Sequence, residues 1–170
     1  MQSYAYGFPR LGRNREYKKI IEGYWNKKIS EEELRQGIDK LEGEMLAAYQ
    51  RYVDKFPVGE MTLYDNMLDT ALMLGLYGAK DLDSYYKLCR GKSALEMTKW
   101  FNTNYHYLVP QFDSSRPAEA FKINWNKPKE KKDIHRKGIP YLIGPFTFLK
   151  LSKGIGREKF GGYLLALAAV

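Results

Sequence analysis

The stretch SEEELRQGIDKLEGEMLAAYQRYVDKFPVGEMTLYDNMLDTAL, residues 30–72, decides the fold class. Ser30 and Glu33 make the S-x-x-E box, in which each side chain answers one orphan backbone donor at a helix start. Leu34, Ile38, Leu41, Met45, Ala48 and Tyr52 follow at steps of four and three, the period of an amphipathic helix. Phe56 to Val58, closed by Gly59, reads as a short buried strand. Thr62 is then placed to cap another helix, with Leu63, Met67, Leu68, Ala71 and Leu72 facing inward. Helix, strand and helix thus succeed one another within one stretch.

The same alternation extends both ways. Upstream, Ser3 to Phe8 reads as a strand closed by Pro9 and Gly12. Asn14 then caps a helix over 15–28, with Tyr17, Ile20, Ile21, Tyr24 and Trp25 on one face. Downstream come a helix over 82–90, a strand from Trp100 to Val109 and a loop over 113–120. A lysine-rich solvated helix over 127–137 and an apolar strand from Tyr141 to Ile143 follow, and helix-forming residues succeed Gly162. Alternating elements predict an α/β architecture with a mainly parallel sheet. The last helix carries no glycine cap and no terminal cation, which fits a piece of a larger fold better than a complete small domain.

Composition narrows the class. The chain has 170 residues, 44% hydrophobic and 28% charged, enough apolar content for a folded core and too much for a disordered segment. No apolar run approaches the ~20 residues that span a bilayer, and the start lacks the layout of a secretory signal. A lone cysteine, Cys89, cannot form an internal disulfide and points to a reducing, cytoplasmic setting. The net charge of +8 favours anionic partners (nucleic acid, phosphates or polycarboxylates) without choosing among them.

Two segments concentrate chemistry. In Gly7–Lys19, a glycine-bearing turn leads into a helix whose first turns carry Arg15 and Lys18. A helix N-terminus already bears about half a positive charge, so cations there cost roughly 0.3–1 kcal/mol each. A bound anion would offset that cost, and so would side chains reaching into water. In Glu96–Tyr107, amides, Lys99, His106 and several aromatics crowd the approach to a presumed strand. They either line a crevice beyond the strand or pack as core, with His106 as a satisfied buried imidazole. Cys89, His106 and His135 lack the spacing of metal ligands, and Cys89 reads as a buried, inert thiol. No phosphate-binding glycine loop or nucleophile elbow is present, so no metal site or catalytic residue is assigned.

Several ordered motifs are specific. Gly-Phe-Pro-Arg-Leu-Gly at 7–12, Arg-Glu-Tyr-Lys-Lys at 15–19, Pro-Val-Gly-Glu at 57–60, Leu-Tyr-Asp at 63–65 and Leu-Asp-Thr-Ala at 68–71 come first. Glu-Met-Thr-Lys-Trp-Phe-Asn-Thr-Asn-Tyr-His-Tyr at 96–107 and Ile-Gly-Pro-Phe-Thr-Phe-Leu at 143–149 follow. Together they closely resemble the amino-terminal domain of cobalamin-independent methionine synthase. The resemblance implies a family of two (β/α)8 barrels that moves a methyl group from 5-methyltetrahydropteroyl-polyglutamate to homocysteine, without cobalamin. It implies that Arg15, Glu16, Tyr17 and Lys18 contact the folate and that Lys99 is a second folate-binding position. A polyglutamate tail is a string of carboxylates suited to arginine and lysine.

The resemblance also implies a zinc ion that turns homocysteine into a thiolate, with ligands in a carboxyl-terminal barrel outside this sequence. Residues 1–170 then form a partial (β/α)8 barrel, since a whole one needs about 250 residues. Alone, such a piece is expected to bind folate polyglutamate, to catalyse no methyl transfer, and to self-associate through exposed barrel edges. Glu60 departs from the family's usual aspartate, which puts an inter-barrel role for it in doubt. Two rivals stand beside this reading: a non-catalytic folate-binding or interaction module, and a basic nucleic-acid-binding domain built on residues 127–137.

Overall fold

The computed structural model describes residues 1–5, 7, 11–113, 115–118, 121 and 138–169. Its elements run α1 (Glu16–Trp25), α2 (Glu31–Tyr52), β1 (Phe56–Val58), α3 (Asn66–Met73), α4 (Leu82–Cys89), β2 (Met97–Lys99) and β3 (His106–Leu108). β4 (Gly138–Pro140), α5 (Pro145–Lys150) and α6 (Arg157–Ala169) complete the order. They fall into two compact units, residues 1–63 with 127–141, and residues 64–126 with 142–170. The expected basic helix over 127–137 lies outside the described residues.

In the first unit, α1 packs on α2 where Gly37 admits Ile20. A Cβ at Gly37 would stand 2.9 Å from the Ile20 Cδ1 atom. The Ser30–Glu33 box forms as read, with Glu33 N–H donating to Ser30 Oγ at 3.2 Å and Ser30 N–H to the Glu33 carboxylate at 2.7 Å. α2 buries Leu34, Ile38, Leu41, Met45 and Tyr49. The stripe runs through Met45 and Tyr49, while Tyr52, the last residue of α2, is 73% exposed rather than inward. α1 ends at Trp25, short of the expected Lys28. Lys27 turns left-handed (φ 56°) and Lys28 N–H donates to the Gly23 carbonyl, a C-terminal cap that stops the helix.

β1 pairs in parallel with β4, Pro57 opposite Ile139. The downstream strand therefore precedes the expected 141–143, which form its exit, with Tyr141 N–H donating to the Val58 carbonyl at 3.0 Å. Of the expected strand over 3–8, the described residues give a parallel bridge between Tyr4 and Lys55; Tyr6 and Phe8 lie outside them. Tyr49 stacks on Phe56 beside Met45 and Leu46 in this unit's core.

The second unit is aromatic-rich. Met67 and Ala71 of α3, Tyr107, Val109, Phe112, Phe121, Phe148 of α5 and Tyr163 of α6 form one cluster. The cap of α3 is Asp65 and not Thr62, its carboxylate accepting from Leu68 N–H at 3.0 Å. α5 opens with Pro145 after Gly144, a helix start where the missing proline N–H has no partner to lose. The expected strand over 100–109 is a hairpin instead: β2 and β3 pair antiparallel, Lys99 opposite His106. A mainly parallel sheet is accordingly not seen. The described residues hold one parallel and one antiparallel pair in a mixed α/β chain, with no closed barrel.

Candidate functional site

The start of α1 is built around a carboxylate. Gly12 (φ 74°) leaves room for Glu16 to fold back; a Cβ there would collide with the Glu16 carboxylate and press on Leu41. Glu16 accepts from the Asn14 N–H at 2.8 Å and from the Asn14 side-chain amide at 3.0 Å. Asn14 is therefore not the helix cap that its residue type suggested. Backbone N–H groups of Glu16 itself and of Asn14 hold the Glu16 carboxyl below its ordinary range, Lys19 adding a smaller push. The positive end of the helix is thus answered by the chain's own anion.

Arg15 occupies the N-cap position in the left-handed region (φ 62°, ψ 37°), a conformation that costs a non-glycine residue roughly 1–2 kcal/mol. Its side chain is exposed. Lys18, half exposed, lies 3.4 Å from Glu22 one turn on. Tyr17 is buried, its hydroxyl donating to the Thr62 carbonyl at 3.2 Å. Of this quartet, only Arg15 and Lys18 present cations outward.

In the other unit, Lys99 ends β2 and is exposed. Glu96, the nearest acid along the chain, is gripped by Lys153 through both oxygens, at 2.7 and 2.6 Å. Among the described residues Lys99 has no carboxylate partner. The turn after it is tightly pinned. Trp100 N–H donates to the Tyr105 carbonyl at 2.7 Å and Thr103 Oγ1 to the Trp100 carbonyl at 2.7 Å. Phe101 sits left-handed (φ 51°) and 67% exposed, its ring edge-on to Trp100.

Behind the hairpin lies Asp65, 2% exposed. One oxygen caps α3 and also accepts from Leu108 N–H at 3.3 Å; the other accepts from Tyr105 O–H at 3.0 Å. Burial first, then the Glu96 and Asp65 charges, raise the Tyr107 phenol, whose hydroxyl donates to the Leu151 carbonyl.

His106 is exposed, with Nδ1 3.1 Å from the Asn104 carbonyl, so it is not the buried imidazole expected. An imidazole opposite Lys99 at the mouth of a hairpin faces water. Trp100 is half-buried and packs against this unit's aromatic core, and Tyr105 is 38% exposed. Sequence reasoning missed Asp65 and the Phe101 backbone; the signal for Asp65 was an aspartate three residues before a buried leucine, a cap spacing. Cys89 is buried and donates to the Tyr85 carbonyl, and burial followed by the Asp69 and Asp65 charges pushes its thiol up.

Glu60 accepts from the Tyr49 hydroxyl at 3.0 Å within the first unit. Among the described residues no group of three or more His, Cys, Asp or Glu is arranged to hold a metal ion. The side chains described do not fit a zinc site, and no step is assigned to one. No helix among the described residues is long and apolar enough to cross a membrane.

The geometry defines a mixed α/β chain with cations at a helix start and at a hairpin. Residues 2–170 match the family described as cobalamin-independent synthase, N-terminal domain. Two curated relatives, each named 5-methyltetrahydropteroyltriglutamate–homocysteine methyltransferase, come from Thermotoga sp. (strain RQ2) and Thermotoga maritima. Each is 46% identical over 165 residues, covering 92% of this chain and 22% of the relative. The chain therefore belongs to the cobalamin-independent synthase family and matches its N-terminal domain. It spans about a fifth of the length of these curated relatives.

Proposed function

We propose that this chain binds the polyglutamate tail of 5-methyltetrahydropteroyl-polyglutamate and forms the amino-terminal part of a (β/α)8 barrel. The observation that carries the proposal is Lys99, an exposed ammonium on a pinned hairpin with no carboxylate partner among the described residues. The relatives' printed name supplies the ligand: a triglutamate presents several carboxylates, each a match for an outward cation. Arg15 and Lys18 hold other carboxylates of the same class of ligand, while Glu16 and Tyr17 shape their turn and helix. The parallel β1–β4 pair among α-helices supports the partial-barrel assignment of residues 1–170.

On this reading the chain alone transfers no methyl group. Sulfur activation by zinc and the homocysteine site belong to the remainder of a longer polypeptide, and the open edges of a partial barrel would make self-association part of the same picture. Titration of the chain with the triglutamate and monoglutamate forms at low and high salt tests the proposal. The expected result is tighter, salt-sensitive binding of the triglutamate. Equal affinities unaffected by salt would refute it. A turnover assay with zinc, homocysteine and methyl-folate triglutamate should give no methionine; steady methionine production would refute the assigned inactivity.

A further inference from the structure

We propose that Asp65 is a positioning residue for Lys99, acting through Tyr105 and β3; the proposal rests on the reading of Lys99 as a tail contact. Lys99 is the last residue of β2, so its place is set by whatever fixes the hairpin. β2 satisfies one edge of β3, while Asp65 receives the Leu108 N–H at 3.3 Å. The same carboxylate receives the Tyr105 hydroxyl at 3.0 Å, and the Tyr105 carbonyl closes the turn by accepting from Trp100 N–H. Trp100 directly follows Lys99. One buried anion therefore ties the N-terminus of α3, the body of β3 and the far side of the turn to a single point. A carboxylate suits this point because its two oxygens accept from several donors at once, and charge-assisted bonds are the stronger kind.

The expense of the arrangement supports a purpose beyond packing. A charge is held almost out of water, and the turn it braces keeps Phe101 left-handed and exposed. A flexible lysine stem on a fixed hairpin loses less freedom on gripping a carboxylate than one on a loose turn.

The test is a double-mutant cycle on the purified chain with Tyr105→Phe, which removes one hydroxyl and leaves the ring. In the native background Tyr105→Phe should weaken triglutamate binding about threefold and leave monoglutamate binding within error. In the Lys99→Ala background it should cause no further loss, because its effect passes through Lys99. Equal loss in both backgrounds assigns Tyr105 an independent role and overturns the positioning claim. Loss with Lys99→Ala but none with Tyr105→Phe also overturns it, leaving the tail contact standing. No loss with Lys99→Ala overturns both.

A ligand-free readout accompanies the cycle. Amide exchange in Tyr105→Phe should speed up about tenfold across residues 97–108 and stay unchanged in α2. Uniform acceleration, or none, contradicts a local brace.

Discussion

The start of α1 and the β2–β3 hairpin both carry cations, and they treat them differently. At α1 the chain supplies its own anions: Glu16 folds over the helix start and Lys18 lies beside Glu22. At the hairpin the acid near Lys99 is taken by Lys153, and a buried carboxylate behind the strand braces the turn. At the first station Lys18 must exchange partners to accept a ligand, losing an exposed i,i+4 pair that contributes about 0.3–0.5 kcal/mol. The second is already arranged. Loss of Lys99 should therefore weaken binding of a polycarboxylate more than loss of Lys18.

The contrast can be broken most forcefully at Asp65. Asp65→Ala leaves the Leu68 and Leu108 amides and the Tyr105 hydroxyl without this acceptor, and should destabilise the chain by about 3 kcal/mol or more in denaturant titration. A loss under 1 kcal/mol would show that the hairpin is braced elsewhere.

Gly12→Ala attacks the other station. It places a methyl group against Glu16 at a left-handed backbone, and should cost about 1–3 kcal/mol while displacing the Glu16 carboxylate from Asn14. An unchanged melting temperature would contradict the account of the Glu16 lock.

Acid sharpens the comparison more gently. Glu16, Glu33, Asp81 and Asp113 are all held below their ordinary carboxyl range, chiefly by backbone N–H donors. A carboxyl with a lower value folded than unfolded contributes stability above its unfolded value, about pH 4, and loses it as pH falls through the folded value. Thermal melts should therefore be flat from pH 7 to 5 and decline below about pH 4. A rise in stability on acidification would reverse that sign.

The smallest effect is expected at Phe101→Gly. Relief of the left-handed backbone, roughly 1 kcal/mol, is opposed by loss of the edge contact to Trp100, worth about 0.5–1.5 kcal/mol. The net change should stay within about 0.5 kcal/mol; a larger loss would give the exposed ring a packing role.

The parts legible in the sequence are those governed by local rules. The Ser30–Glu33 box, the α2 stripe through Met45, the β1 segment and the buried Cys89 all follow from spacing within a few residues. The misread parts turn on which of several local bonds the chain makes, and in one case on a distant neighbour. Thr62 looked like a cap, yet Asp65 takes that role, and it also serves Leu108, 43 residues away. Tyr105, Tyr107 and Val109 alternate like a strand, but side-chain and backbone bonds at 100–105 fold the segment into a turn. At the candidate site, the residue types were readable from the ordered motifs. The fold-back of Glu16 onto Asn14 depends on the room left at Gly12 and was not.

The central claim is tested most directly by comparing Lys99→Ala with Lys18→Ala for binding of the triglutamate and the monoglutamate at low salt. The account predicts about tenfold weaker triglutamate binding for Lys99→Ala, about threefold or less for Lys18→Ala, and no change for the monoglutamate in either. Equal losses for the two ligands, or a larger loss at Lys18 than at Lys99, would contradict it.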